Sequence, residues 1–205
     1  MSSPLDARAT RVTEAGVVPT ITAAGATLRA LVPADAEPLC SLLTTEPVGQ
    51  FLLPPPDNVE RFKRFIEWTH RQQESGRHLC FGIVPAGYDT AVGLIQVRRE
   101  TSESSTAEWG FALSERFWGT GLFVASAELA LTFLFRHAGV YRLEARAIVG
   151  NGRASGALQK LGAEREGVLR HGFCRNGEYF DQILWSILAD EWHGSIASPT
   201  TATLH

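Results

Sequence analysis

The chain has 205 residues, of which 44% are hydrophobic and 20% charged, and its formal net charge is -3. This size and composition predict one globular domain, and the slightly acidic balance argues against a nucleic-acid partner. Three cysteines far apart in the chain, Cys40, Cys80 and Cys174, form neither a disulfide framework nor a zinc-binding pattern, so we expect no metal. Because no stretch is long and apolar enough to span a membrane or to serve as a signal core, we expect a cytoplasmic protein with no membrane partner.

The first 26 residues predict an arm ahead of the domain. They are rich in Ser, Thr, Ala and Gly and show little periodicity. A second copy of the chain is one candidate for the surface that holds this arm, which would make the protein a homodimer. We expect the domain over residues 27–194 and a polar tail over residues 195–205.

The domain opens with a predicted strand and two predicted helices. Apolar residues alternate over 27–32, and residues 33–45 begin with Pro and predict a helix. Residues 51–56 contain three successive prolines and predict a stiff apolar segment. Residues 57–75 begin with Asp-Asn-Val-Glu, which resembles a capping box, and continue with the period of an amphipathic helix.

The middle of the chain predicts a hairpin, then a strand, a glycine turn and a long helix. The hairpin spans residues 78–98, and the apolar strand spans residues 108–113. Gly119 and Gly121 then lead into an apolar helix over residues 122–138. A glycine turn ahead of the free N–H groups of a first helical turn predicts an anion-binding site.

The residues around this turn argue against two nucleotide-binding designs. A Walker loop needs Lys followed by Ser or Thr after its last glycine, and Leu122 and Phe123 stand there. A dinucleotide-binding fold places a third glycine where Val124 stands, and its ribose-binding acid has only Glu144 as a candidate, at the start of the next predicted strand. The pattern that is left is Arg-Phe-Trp-Gly-Thr-Gly over residues 116–121.

The rest of the domain predicts one helix among three strands. The strands are expected over residues 142–149, 163–171 and 179–187, and the helix over residues 152–161. Asn-Gly at residues 176–177 predicts the last hairpin turn. Strands with interposed helices predict an α/β or α+β fold whose mixed, mostly antiparallel twisted sheet is flanked by helices.

The pattern over residues 116–121 resembles the coenzyme A pyrophosphate loop of the GNAT N-acetyltransferases. Further motifs over residues 151–155, 160–163 and 177–181 are similar to the RimJ/RimL branch of that family, which modifies protein N-termini. The resemblance covers residues 27–192. It implies a central pair of parallel strands that splay apart, acetyl-CoA as co-substrate without a metal, and direct transfer of acetyl to an amine acceptor.

The resemblance also implies which residues hold the coenzyme. Backbone groups at the end of the strand over 108–113 would pair with the pantetheine amides, the glycine loop would hold the pyrophosphate, and Asn151 would bond the pantetheine arm. The residues expected to bind acetyl-CoA are Phe111, Ala112, Leu113, Arg116, Phe117, Trp118, Gly119, Thr120, Gly121, Leu122, Asn151 and Ser155.

Two residues are candidates for catalysis. Strand alternation puts Glu108 on the small-residue side of its strand, where it is expected to act as the base; the alternative is a surface or ion-paired carboxylate. Ser155 follows Ala154, which occupies the place where the RimJ/RimL branch has a Ser near the sulfur. The usual family acid, a Tyr seven residues after the Asn, is Leu158 here. By chain order alone, the expected acceptor side also includes His171, Phe173, Glu178 and Asp181.

Three functions are compatible with these residues. The main hypothesis is an acetyltransferase that acts on the α-amine of a protein N-terminus. An alternative in the same class is an acetyltransferase of a small amine such as a polyamine, an amino acid or an aminoglycoside. A third, of another class, is a CoA-binding regulatory module without turnover, which the residues Ala154 and Leu158 favour.

Overall fold

The computed structural model describes residues 18–23, 25–51 and 56–193. The strands are β1 (Ile21–Ala23), β2 (Ala26–Ala30), β3 (His78–Pro85), β4 (Gly93–Arg99), β5 (Thr106–Leu113), β6 (Arg142–Ile148), β7 (Glu164–Arg175) and β8 (Glu178–Leu188). They form one sheet in the order β1-β2-β3-β4-β5-β6-β8-β7. The helices are α1 (Ala36–Leu43), α2 (Glu46–Gly49), α3 (Val59–Glu74), α4 (Leu122–Arg136) and α5 (Gly152–Lys160).

The sheet is mixed, as the sequence predicts. Neighbouring strands are antiparallel except for β5 and β6, which are parallel. The predicted strands and long helices are all present, with ends within a few residues of those expected. No helix in the described part of the chain is both long and apolar enough to cross a bilayer.

Helices cover both faces of the sheet, and each face has its own apolar core. The core beneath α4 includes Phe81, Ile95, Trp109, Leu131 and Leu143. The core beneath α1 and α3 includes Leu31, Leu39, Phe62, Ile66 and Cys80. Because α3 presents one apolar side and α4 is apolar almost all round, both helices gain most of their stability from this burial.

The predicted arm contributes a strand to the sheet. β1 pairs with β2 from Ile21↔Leu28 to Ala23↔Ala26, around a turn at Gly25 whose φ is 81°. Three residues are too few to show an alternating pattern, so the sequence did not reveal this strand. Residues 1–17 and the predicted tail over 195–205 lie outside the described residues.

Two helix starts differ from the predicted ones. α1 begins three residues after Pro33, because residues 33–35 form a 3-10 turn. At α3 the cap is Asn58, whose side chain accepts a hydrogen bond from Arg61 N at 2.9 Å, and Asp57 instead pairs with the Arg61 guanidinium. Residues 52–55, most of the predicted stiff segment, lie outside the described residues, and the short helix α2 just before them was not predicted.

A buried ion pair ties the start of α1 to the sheet. Asp35 is fully buried and accepts hydrogen bonds from Arg29 Nη1 and Nη2 at 2.7 and 2.9 Å. Its carboxylate also accepts the backbone N–H groups of Val32 and Ala91, each at 2.8 Å. Burial alone would raise the pKa of Asp35, but these hydrogen bonds and the Arg29 charge outweigh it, so the pKa lies below its usual value. The pair therefore joins β2, α1 and the segment that enters β4.

The parallel pair at the centre of the sheet is short. β5 and β6 pair only from Thr106↔Arg142 to Glu108↔Glu144. β5 continues to pair with β4 as far as Leu113, and β6 continues to pair with β8 as far as Ile148. The two strands therefore share no ladder pair over their second halves, which is the expected splay.

The hairpin β7–β8 has the predicted tight turn and an unpredicted bulge. Asn176 and Gly177 have φ values of 52° and 81°, as a two-residue turn of the primed type requires. The bulge lies between Leu169 and Phe173, where His171 has a φ of 53° and its N–H donates to Asp181 Oδ1 at 2.8 Å. The bulge interrupts the β7–β8 pairing, which resumes at Phe173↔Phe180.

Candidate active site

A cleft opens where β5 leaves β6, on the side of the glycine turn. This cleft, here called the loop cleft, has a volume of about 480 Å³. Its walls come from the end of β5, the turn before α4, the first residues of α4, the helix α5 and the helix α2. It is lined by Pro47, Val48, Phe51, Phe111, Ala112, Leu113, Phe117, Trp118, Gly119, Gly121, Phe123, Val124, Asn151, Gly152, Arg153, Ala154, Gly156, Ala157 and Lys160.

Two glycines give the loop cleft a wall of bare backbone. Gly119 and Gly121 have φ values of 75° and 85°, which residues with a Cβ rarely adopt. A Cβ added at either position would meet no atom within 4 Å, so this backbone faces open space. Gly121 is also the N-cap of α4 and offers no side chain to the N–H groups of the first turn. The N–H groups of Phe123 and Val124 therefore remain available to an anion, while that of Leu122 is bonded to Thr120.

Three residues predicted to bind the coenzyme lie near this wall but not in it. Arg116 is exposed on the 3-10 turn before the glycines. Thr120 Oγ1 donates to Phe117 O at 2.8 Å and accepts from Leu122 N at 3.3 Å. Thr120 and Leu122 thus fix the shape of the turn, and Arg116 adds positive charge at its surface.

The start of α5 forms the opposite wall. Asn151 lines the loop cleft and caps α5, because its Oδ1 accepts Ala154 N at 3.0 Å. The cap occupies the amide oxygen, so Nδ2 is the group left to bind a ligand. Ser155 Oγ is buried without a hydrogen-bond partner among the described residues, and Ser155 is absent from the lining. Leu158, in the place of the usual Tyr, is 1% exposed and belongs to the core.

A cation–π contact joins the two walls of the loop cleft. The Arg153 guanidinium lies 3.9 Å from the ring centroid of Trp118. Trp118 Nε1 in turn donates to Leu113 O at 3.0 Å, at the free end of β5. The turn before α4, the end of β5 and the start of α5 are therefore held together by one indole ring.

A second cleft lies on the sheet face that carries α3. This cleft, here called the sheet cleft, has a volume of about 780 Å³. It shares Phe51, Phe111 and Ala112 with the loop cleft, so the two cavities meet at the free end of β5. It is lined by Leu43, Phe51, Pro56, Phe62, Phe65, Trp68, His78, Leu94, Gln96, Arg98, Glu108, Trp109, Gly110, Phe111, Ala112, Arg146, Gly172, Phe173, Cys174 and Gln182.

Glu108 lines the sheet cleft and is also ion-paired. It is opposite Arg98 in the β4–β5 ladder, and its Oε2 lies 3.2 Å from Arg98 Nη2. Arg146 Nη2 lies 3.9 Å from the same oxygen. The side chain of Glu108 is 34% exposed, so the carboxylate is open to the cleft while the two arginines hold it. The structure shows the ion-paired carboxylate, and the role of Glu108 as the base stays a prediction.

Aromatic side chains of α3, together with His78 beside Arg98 in the β3–β4 ladder, form another part of the wall of the sheet cleft. Phe65 stacks on Trp68 with ring centroids 6.0 Å apart, and Trp68 meets His78 edge-on at 4.9 Å. His78 Nε2 lies 3.2 Å from Gln96 Oε1, and Nδ1 is buried without a partner among the described residues. Burial lowers the pKa of His78, which favours the neutral ring at neutral pH. This wall is therefore apolar with a few neutral polar atoms.

The structure brings together some of the predicted acceptor-side residues and not others. Phe173 lines the sheet cleft, whereas His171, Glu178 and Asp181 do not. The reason is the bulge in β7, which uses the His171 backbone and the Asp181 carboxylate to hold its own shape. Sequence reasoning missed the arginines of both clefts, Arg98, Arg146 and Arg153. Only Arg98 carried a usable signal, since it lies in the predicted hairpin next to the strand of Glu108.

Comparison with known proteins gives the family. Residues 26–164 match a family model described as "Acetyltransferase (GNAT) domain". The chain belongs to this family. A solved structure described as a "Probable acetyltransferase" superposes with a TM-score of 0.76 at 26% identity, over 84% of this chain and 98% of that one. As in that family, acetyl-CoA is the co-substrate, and the protein is an acetyl-CoA-dependent N-acetyltransferase.

Curated relatives of this GNAT acetyltransferase are named for more than one acceptor. "Putative ribosomal N-acetyltransferase YdaF" of Bacillus subtilis is 27% identical over 82% of this chain and 93% of its own. "[Ribosomal protein uS5]-alanine N-acetyltransferase" of Escherichia coli is 24% identical over 62% of this chain and 64% of its own. "Spermidine N(1)-acetyltransferase" of Escherichia coli is 28% identical over 52% of this chain and 58% of its own.

The loop cleft of this GNAT acetyltransferase fits the co-substrate. Its open glycine backbone and uncapped helix start offer N–H donors to phosphates, and the unpaired half of β5 offers a free strand edge. Arg153 and Lys160 add positive charge to the wall. No group of three His, Cys, Asp or Glu side chains that could hold a metal occurs in residues 18–23, 25–51 and 56–193.

Proposed function

We propose that this acetyltransferase acts on the α-amine at the N-terminus of a protein. The observation that carries the proposal is the charge of the sheet cleft: one carboxylate, Glu108, faces two arginines, Arg98 and Arg146. A polyamine has several positive charges and needs a cleft rich in carboxylates. A peptide N-terminus brings a single amine, and the cleft of about 780 Å³ has room for the residues that follow it.

The proposal assigns the proton of the amine to Glu108. The pKa of an α-amine is near 7.7–8.0 and that of a lysine side chain near 10.4. Removing the proton from an α-amine therefore costs about 3.4 kcal/mol less free energy, and a weaker base is sufficient. A half-buried carboxylate is adequate for that task, directly or through a water molecule. Since Oε2 is held by Arg98, we assign the proton to Oε1.

The loop cleft binds and orients the acyl donor. Acetyl-CoA supplies the acetyl group as a thioester. The proposed binding groups are the backbone of Phe111 to Leu113, the turn with Gly119 and Gly121, and Asn151 Nδ2. Phe51, Phe111 and Ala112 line both clefts, and their apolar side chains would keep water from the point where the two substrates meet.

Protonation of the leaving thiolate does not use the position of the usual family Tyr. Leu158 is buried there, and no tyrosine lines the described wall of either cleft. In the proposal the neutral amine attacks the thioester carbon, the carbon–sulfur bond breaks, and the proton left on the nitrogen of the intermediate passes to the departing sulfur. Ser155 is retained only as a helix residue in this proposal, because its hydroxyl does not reach the loop cleft. Leu158 and Ala154 are the two departures from the family pattern that suggested the third hypothesis, a CoA-binding module without turnover, and family membership opposes it. The small-amine alternative is supported by the spermidine relative and opposed by the two arginines.

The test measures thiol release from acetyl-CoA with short peptides that begin with Ala, Ser or Met. Each peptide is offered with a free and with a blocked N-terminus, and spermidine is a parallel acceptor. Release with free N-termini alone is the expected result. Release with spermidine and not with peptides would support the small amine, and acetyl-CoA binding without release to any amine would support the module.

Two further statements belong to the proposal. A cytoplasmic location is supported by cysteines that are all free thiols in the described residues. A homodimer, with a second copy as partner of the arm, concerns residues 1–17 and is tested by the mass of the full chain in solution.

A further inference from the structure

The charged side chains that line the sheet cleft are two arginines and one carboxylate, and the next carboxylate on this sheet face, Glu144, is paired with Arg142 at 2.7 Å. Arg98 and Arg146 share a single oxygen, Glu108 Oε2, at 3.2 and 3.9 Å. Arg146 forms no hydrogen bond with any described residue at this site, since its distance to Glu108 is that of a loose ion pair. One carboxylate therefore serves two guanidinium groups, and the second group keeps unused donors.

The fold keeps both arginines open to the cleft. Arg98 lies on β4, opposite Glu108. Arg146 lies on β6, two residues beyond Glu144, which is the last residue of β6 that pairs with β5. Ladder register and strand alternation put both on the sheet face of Glu108. Their side chains are 71% and 43% exposed, so neither arginine is covered by the described residues.

We propose that Arg98 and Arg146 bind an acidic side chain of the acceptor, within the first two or three residues after the reacting amine. The inference rests on the proposed function and names a property of its substrate. Both guanidinium groups lie within 4 Å of the proposed base, and an extended chain advances about 3.3–3.6 Å per residue. An acid farther along the peptide would therefore be out of their reach.

The aromatic part of the wall offers the acid no cation. Phe65 and Trp68 are apolar, and burial lowers the pKa of His78, the ladder neighbour of Arg98, which disfavours a charged ring. A carboxylate against the two aromatic rings would lose its hydration without gaining a cation. The acid is thus directed to Arg98 and Arg146, where its hydrogen bonds are charge-assisted and bidentate geometry is available.

The experiment compares three peptides that differ only at the second residue, Ala-Asp, Ala-Asn and Ala-Lys followed by one common sequence. We expect kcat/KM for the Asp peptide to exceed that for the Asn peptide about tenfold, which corresponds to about 1.4 kcal/mol. The Lys peptide should be the poorest. Calorimetry with the same peptides already acetylated measures binding without turnover, and it should show the same order.

Variants of the two arginines test whether these residues cause the preference for the Asp peptide. In Arg98→Gln and in Arg146→Gln the ratio of Asp to Asn peptide should fall to about three, and in the double variant to about one. The ratio is taken within each variant, so a general loss of activity does not affect it. Arg136→Gln removes a positive charge at the end of α4, outside both clefts, and should keep the ratio near ten.

Equal rates and equal binding of the Asp and Asn peptides by the unmodified protein would overturn the inference. So would a ratio that survives in the double variant. If peptides are acetylated without an acid preference, the proposed function stands and only this inference fails. If no peptide is acetylated or bound while free alanine is preferred over alaninamide, the arginines bind the carboxylate of a small molecule, and both statements fail.

Discussion

The loop cleft and the sheet cleft meet at three residues but present different chemical groups. The loop cleft presents backbone: a glycine turn, the uncapped start of α4 and the free edge of β5. The sheet cleft is lined by residues from α1, α3, six strands and the loop residues Phe51 and Pro56. A site made of backbone groups tolerates changes of side chain, whereas a site made of side chains changes its ligand with a few substitutions. Relatives are named for a ribosomal protein and for spermidine, and a cleft of the second kind is compatible with such a range of acceptors.

The largest expected effect comes from a substitution that disturbs both clefts together. Asp35→Ala removes the buried partner of Arg29, whose side chain is only 19% exposed. The substitution lies at the start of α1, which carries Leu43 of the sheet cleft and precedes Val48 of the loop cleft. We expect the free energy of unfolding in urea to fall by about 3–5 kcal/mol. The matched control is Asp57→Ala, which breaks an exposed pair and should cost less than about 1 kcal/mol. Equal losses in the two variants would contradict the structure.

The same carboxylate predicts how stability depends on pH. The pKa of Asp35 is lowered in the folded state, so its contribution is complete above the unfolded pKa of about 3.9 and is lost as pH falls through the folded pKa. The stability gap between the unmodified protein and Asp35→Asn should therefore be constant from about pH 5 to 7 and narrow below about pH 4. A gap that widened in acid would have the wrong sign.

The next substitution distinguishes an effect on acetyl transfer from an effect on acetyl-CoA binding. Glu108→Gln removes the proposed base in the sheet cleft and should lower kcat/KM for the acceptor about 100-fold. The Kd for acetyl-CoA should change less than twofold, because Glu108 does not line the loop cleft. Glu103→Gln, on the exposed loop before β5, is the control and should leave both quantities unchanged. Full activity in Glu108→Gln would remove Glu108 from the mechanism.

A pair of glycine variants tests the comparison directly. Gly121→Ala puts a Cβ on a residue with a φ of 85°, which costs about 1–2 kcal/mol, so we expect acetyl-CoA to bind about tenfold more weakly. Gly110→Ala adds the same methyl group to the sheet cleft, where nothing lies within 4 Å of it. It should keep acetyl-CoA affinity and alter only the KM of the acceptor. Calorimetry measures the affinity for acetyl-CoA, and initial rates measure the KM of the acceptor. If the two variants changed both quantities equally, the distinction between the clefts would be wrong.

The smallest expected effect concerns the bridge across the loop cleft. Arg153→Ala removes the cation over Trp118 and one positive charge from the wall. An exposed cation–π contact contributes about 0.5–1 kcal/mol, so acetyl-CoA should bind two- to fivefold more weakly. Arg165→Ala, on the edge strand β7, should leave binding unchanged, and tighter binding in Arg153→Ala would show that the bridge obstructs the donor.

The loop cleft could be predicted from the sequence because its parts are close together in the chain. A strand, two glycines and an apolar helix within residues 108–138 carried most of the sequence signal for this cleft, and Asn151 carried the rest. What could not be predicted was which loop residues face the cavity. Arg116, Thr120 and Leu122 belong to the same motif, yet local hydrogen bonds and exposure keep them out of the wall.

The sheet cleft could not be predicted, because its residues come together only through the sheet. Arg146 reaches Glu108 across a parallel pair that is three residues long, and no local pattern fixes that register. His171 and Asp181 were expected there by chain order, but neither lines this cleft, because the His171 N–H and the Asp181 carboxylate bond to each other in the bulge of β7. Local sequence patterns set the elements, and long-range strand pairing set which residues line the sheet cleft.

The short parallel pair has a consequence for the lifetime of the protein. Half of β5 has no partner on the β6 side, so the folded sheet is one strand segment short until a ligand with amide groups completes it. A ligand that binds only the folded chain raises the free energy of unfolding by about 2.7 kcal/mol at 100 times its Kd. If the coenzyme binds this edge in the folded chain alone, its concentration changes the fraction of chains that are unfolded and open to proteases.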